Sequence, residues 1–132
     1  MWLAEKIMKE HLMLIGGQWV GSVSNSWLAS VNPYTSMPWA YVPRGTKQDV
    51  DCAVHEAKTA FYGEWRQMTA TARGALLRRL GDLIAAEAER LAEIESTDNG
   101  KLLADMRAQL NYIPHWFHYF GGLADKIEGA PT

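Results

Sequence analysis

The chain has 132 residues, with 13 Lys plus Arg against 15 Asp plus Glu and a formal net charge of -2, a balance that excludes a protein held to nucleic acid or to an acidic membrane surface by basic contacts. Its 48% hydrophobic and 21% charged residues describe a globular chain rather than a disordered one, and its single cysteine excludes an internally disulfide-stapled scaffold or a Cys-rich zinc site. The apolar runs are too short to span a membrane, and Glu5, Lys6, Lys9 and Glu10 interrupt any signal-peptide core, so the expected compartment is the cytoplasm.

Residues 1–13 carry Trp2, Leu3, Ile7, Met8, Leu12 and Met13 at roughly helical spacing, which predicts a short helix. Leu14-Ile15 and Trp19-Val20 flank Gly16-Gly17-Gln18, the pattern of two strands joined at a glycine turn. A Ser-rich loop follows, then an extended run from Leu28 to Val31 stopped by Asn32-Pro33. Residues 38–43 alternate between prolines, which predicts an edge strand or a strand end, because proline cannot donate to a ladder.

From Thr46 the period becomes helical. Thr46 and Asp49 form a capping-box-like start, and Val50, Ala53, Val54, Ala57, Ala60 and Phe61 share a face before Gly63. Thr69 or Thr71 opens a second helix with Leu76, Leu77, Leu80, Leu83 and Ile84 as its stripe. A bend or break is predicted near residues 85–87, and Asn99-Gly100 is a stop signal. Residues 101–123 read as a further helical region, which Pro114 should kink or split. The chain closes at Gly129-Ala130-Pro131-Thr132 directly after this apolar helix, as a segment of a larger fold would.

Each chemistry-bearing pair has an ordinary structural reading. His115 and His118 are spaced for a metal, but they sit among Trp116, Phe117, Tyr119 and Phe120, where packing is the expectation. Cys52 and His55 share that spacing; Cys52, between Val50 and Val54, is expected to be buried as a small apolar residue rather than activated as a nucleophile. Glu87, Glu89, Glu93 and Glu95 belong to a solvated face. Asp98 stands apart, because a carboxylate in the last turn of a helix opposes the dipole and calls for a partner such as a cation. Tyr112, Trp116 and Tyr119 or Phe120 form a stripe suited to core, a subunit contact or a ligand channel. There is no phosphate-cradling glycine loop and no esterase-type elbow.

Taken together, Ile15-Gly16-Gly17-Gln18-Trp19-Val20, Val31-Asn32-Pro33-Tyr34-Thr35, Trp65-Arg66, Leu76-Leu77-Arg78-Arg79-Leu80, Glu95-Ser96-Thr97-Asp98-Asn99-Gly100-Lys101 and Tyr119-Phe120-Gly121-Gly122-Leu123 resemble the N-terminal part of the aldehyde dehydrogenase superfamily. The resemblance runs from about residue 12 to the end of the chain, in family order and spacing. It implies an α/β fold represented only by its N-terminal part, the chain itself being mainly α-helical with a few short N-terminal β-strands. One partial domain over residues 1–132 would hold strands and turns at 12–45 and, at 46–128, a helical layer of the cofactor-binding domain.

The activity implied is oxidation of an aldehyde to a carboxylic acid with NAD or NADP: a cysteine thiolate attacks, hydride passes to the nicotinamide, and a glutamate activates the water that releases the acid. An asparagine side chain and a backbone N–H hold the oxyanion. None of these catalytic or cofactor-binding motifs occurs here, and Cys52 does not match the nucleophile position. The isolated chain is therefore expected to be inactive. What the resemblance does place in this segment is a monovalent cation site for K+ or Na+ at Ser30, Val31 and Asp98, and a substrate entrance at Gln109, Tyr112 and Trp116. A homo-oligomer, or association through exposed apolar helices, is the implied assembly. The alternative is a truncated, non-catalytic relative acting as an interaction or scaffold module.

Overall fold

The structure, a computed structural model, describes residues 8–126. It is mainly helical, with a few short strands ahead of its helices. The described residues fall into two compact units, one running up to Tyr62 and including Thr97–Asn99, the other made of Gly63–Ser96 and the residues from Gly100 onward.

In the first unit β2 (Met13–Ile15) and β3 (Gln18–Val20) form the expected hairpin. Gly16 and Gly17 have φ of 58° and 77°. Both central residues of this tight turn are left-handed, which glycine adopts without strain. A second, three-stranded sheet has the order β1-β5-β4, formed by β1 (Lys9–Glu10), β5 (Met37–Pro43) and β4 (Trp27–Asn32). Two expectations change here. Lys9–Glu10 is a strand parallel to β5, not helix, while the expected helix up to Ile7 lies outside the described residues. And β5 is the central strand, not an edge. Its prolines are accommodated at the margins: Pro43 ends the strand opposite Trp27, and Pro38 faces Val31 where the register slips.

Helix α1 (Lys47–Ala60) starts with the full capping box. The Thr46 side chain accepts from the Asp49 N–H, and the Asp49 carboxylate accepts from the Thr46 N–H. A wide turn at Phe61–Trp65, non-helical at Gly63, follows it. Cys52 on α1 is exposed rather than buried. It lines an open groove of about 420 Å3 beside the hairpin, with Ile15, Val20 and Gln48 among its neighbours there, and nothing closes over that groove to bury it.

The second unit is built from α2 (Ala70–Ala86), most of α3 (Ala88–Asn99) and α4 (Leu103–Leu123). Thr69 caps α2 through its hydroxyl and the Ala72 N–H. Glu87, with φ -106° and ψ 9°, breaks the chain between α2 and α3 at the predicted place, and Gly100, with φ 77°, stops α3. Helices α2 and α4 cross at glycines: a Cβ on Gly74 would lie 2.3 Å from the Gly121 carbonyl oxygen, and one on Gly81 would lie 3.0 Å from the Phe117 Cβ. Arg78 ties the crossing by donating to that same Gly121 carbonyl at 2.9 Å. Helices α3 and α4 bury Ala88, Ala92, Met106 and Leu110 between them, and the Arg107 guanidinium bonds the Glu89 carboxylate across their outer edge. Pro114 does not split α4; the helix continues through it with the proline buried.

Candidate functional site

Ser30 lies on β4 at the register slip. It faces Ala40, while Val31 faces Pro38, so Trp39 is the extra residue of a bulge. That bulge brings the Trp39 indole N–H to the Ser30 hydroxyl oxygen at 3.0 Å. The Ser30 hydroxyl in turn donates to Oδ1 of Asp98 in the last turn of α3, a short hydrogen bond spanning 68 positions of sequence. The contact runs through the serine side chain. It gives the Asp98 carboxylate a partner at a helix end where the dipole disfavours negative charge. The Gly100 N–H bonds the Ser96 carbonyl at 3.0 Å. A hydroxyl oxygen and an exposed carboxylate are hard oxygen donors, the chemistry that suits an alkali cation. Sequence reasoning passes over Trp39; the signal that could have flagged it is its place next to Pro38, where ladder pairing has to fail.

Gln109, Tyr112 and Trp116 share one face of α4. With Ala108 and Ile113 they line a shallow groove of about 470 Å3. The Tyr112 and Trp116 rings meet edge to face at 5.8 Å, and Trp116 stacks on Phe120 at 6.3 Å. Tyr112 and Trp116 are 56% and 50% exposed, so the groove is an open aromatic surface rather than core.

The other candidates separate. His115 tilts against Tyr112 with ring centroids 5.5 Å apart, whereas Nε2 of His118 is 2.9 Å from Oδ1 of Asp82 on α2. Among the described residues no group of three or more His, Cys, Asp or Glu side chains is placed to hold a metal. Of the acidic run, Glu87 pairs with Arg90 and Glu89 with Arg107. The hydrogen bond from Arg107 holds the Glu89 carboxyl below its ordinary pKa, and the same bond raises that of Arg107. No helix among the described residues is long and apolar enough to cross a membrane.

A sequence model of the aldehyde dehydrogenase family matches residues 19–132. The chain is 42% identical over 118 residues to a hydroxyisobutyraldehyde dehydrogenase of Mycolicibacterium austroafricanum, a match covering 89% of this chain and 23% of that protein. Its backbone is similar to the crystal structure of an NAD-dependent aldehyde dehydrogenase from Sinorhizobium meliloti, with TM-score 0.89 and 32% identity over 94% of this chain and 25% of the other. It is also similar to betaine aldehyde dehydrogenase of Staphylococcus aureus solved in complex with NAD+, with TM-score 0.87 and 39% identity over 91% of this chain and 24% of that one. The chain thus spans about a quarter of the length of the proteins it matches, and it corresponds to their N-terminal part. With sequence and backbone both following that segment, the chain belongs to the aldehyde dehydrogenase family.

Proposed function

We propose that this chain is the N-terminal portion of a cytoplasmic, homo-oligomeric NAD- or NADP-dependent aldehyde dehydrogenase that oxidises an aldehyde to a carboxylic acid. The observation that carries the reading is the 42% identity to a named aldehyde dehydrogenase over 89% of the chain. The nicotinamide cofactor would accept the hydride. The residues here would position and enclose. Gln109, Tyr112 and Trp116, together in the α4 groove, would form part of the substrate entrance, receiving the apolar body of the aldehyde on two aromatic faces. Ser30, Val31 and Asp98 would hold K+ or Na+ at the junction of β4 and the end of α3, supported by the hydroxyl–carboxylate contact between Ser30 and Asp98.

The test has two arms. An enzyme carrying this chain as its N-terminal portion should form NADH or NADPH from aldehydes, and Tyr112→Ala in it should raise KM for bulky apolar aldehydes more than it lowers kcat, the signature of a binding contact. The 132-residue chain alone should form none, because the nucleophile, base and oxyanion donors supply most of the rate enhancement. Turnover by these 132 residues that Cys52→Ser abolishes would overturn the reading.

A further inference from the structure

We propose that Trp39 is a positioning residue for the cation site, acting through Ser30 on Asp98; this rests on the cation reading above. A serine hydroxyl has one proton to give and two lone pairs to receive with. Left alone, it rotates to suit any neighbour. Here the Trp39 indole N–H, a donor with no acceptor capacity, occupies the Ser30 oxygen at 3.0 Å. The serine proton is thereby directed away from the indole, and it goes to Oδ1 of Asp98. That bond fixes one oxygen of the Asp98 carboxylate, and the cation reading assigns the other to the cation.

The indole is itself fixed. Trp39 is the extra residue of the β4–β5 bulge, it is partly buried, and its ring meets the His11 ring edge to face at 6.4 Å. The backbone irregularity forced at Pro38 therefore has a use: it aims an indole N–H across the sheet at the neighbouring strand, where regular alternation along β5 would carry that side chain elsewhere. A relay of this kind restricts where the Asp98 carboxylate can sit, and a pre-positioned ligand binds a cation more tightly than one that must be ordered on binding.

The experiment is thermal unfolding of the enzyme that carries this chain as its N-terminal portion, in KCl and in choline chloride at equal ionic strength, with K+ titrated into the choline sample. Binding to the folded state alone raises the midpoint in K+ over choline. Wild type should show that increment, and Asp98→Asn should lose it. Trp39→Phe keeps the ring and deletes the N–H; it should weaken apparent K+ affinity about two- to tenfold, the loss expected of one hydrogen bond. Ser30→Ala, which removes the hydroxyl itself, should weaken it at least as much as Trp39→Phe, Ser30→Thr should keep wild-type affinity, and the double variant Trp39→Phe with Ser30→Ala should be no weaker than Ser30→Ala alone. A purely structural tryptophan would lower the midpoint equally in both salts and leave K+ affinity untouched, and that result overturns the proposal. Absence of an increment in wild type overturns the cation reading itself, an outcome seen in a different sample from the Trp39 result.

Discussion

Asp49 is a carboxylate only 5% exposed. It accepts from the Thr46 N–H at 2.7 Å, the Thr46 and Ser22 hydroxyls at 2.8 Å each, and the Val23 N–H at 3.1 Å. These bonds tie the Ser-rich loop to the start of α1. The Thr46 N–H above all lowers the Asp49 pKa to about 2, against a burial penalty that pushes the other way. The folded value lies below the unfolded one, so Asp49 contributes its full stability above the ordinary value of 3.8, and that contribution is lost as pH falls toward about 2. Asp49→Asn should therefore be less stable than wild type near neutrality, with the gap narrowing over that acid window. Urea unfolding at a series of pH values measures it; a gap independent of pH would show that charge has no part in it. Thr46→Ala, which removes the other half of the box, should cost about 0.5–2 kcal/mol.

At the scale of the element, the buried face of α2 is made of glycine. Gly74 and Gly81 are its buried residues, while Leu76, Leu80 and Leu83 remain substantially exposed. Alanine raises helix propensity by about 1 kcal/mol over glycine, yet at Gly74 its Cβ would meet the Gly121 carbonyl oxygen at 2.3 Å. The crossing would have to open, so Gly74→Ala should destabilise by about 1–3 kcal/mol, as overpacking does. Gly122→Ala is the control: nothing lies within 4 Å of its Cβ position, and it should be neutral or stabilising. Denaturant midpoints decide between them, and equal effects at the two sites would refute the close-crossing argument. What was legible in the sequence follows the same division. Local chemistry was readable: the Gly16-Gly17 turn, the Thr46–Asp49 cap, the break by Glu87 and the Gly100 stop each depend on a few neighbouring residues. Pairings that join distant segments were not. A two-residue strand such as Lys9–Glu10 has no period to detect, β5 became central only because β1 docks beside it, and whether Cys52 faces apolar residues depends on what packs over α1. The Ser30–Asp98 juxtaposition came from family resemblance, not from any local signal, and Trp39 joined it only through the bulge.

The whole chain carries 48% hydrophobic residues, yet much of that surface stays open. Leu76, Leu80 and Leu83 on α2 are 44–56% exposed, and Tyr112, Trp116, Tyr119 and Phe120 on α4 are 50–59% exposed. The Gly74–Gly121 crossing consumes the small-residue face of α2 and leaves its leucine stripe without cover from α4. These stripes are open surface in a chain that spans about a quarter of its relatives' length. The 132-residue chain taken alone should then associate, since contiguous apolar patches of several hundred Å2 favour burial over hydration. Size-exclusion chromatography with light scattering should show concentration-dependent oligomers, and an apolar dye should bind. Leu80→Glu with Leu83→Glu places charge on the stripe without touching the glycine crossing. It should shift the population toward monomer and leave the midpoint of thermal unfolding within a few degrees of the parent at low concentration. A monodisperse parent that binds no dye would show that the stripes are ordinary solvated surface, and a double variant that melts far lower would show that the leucines belong to a core.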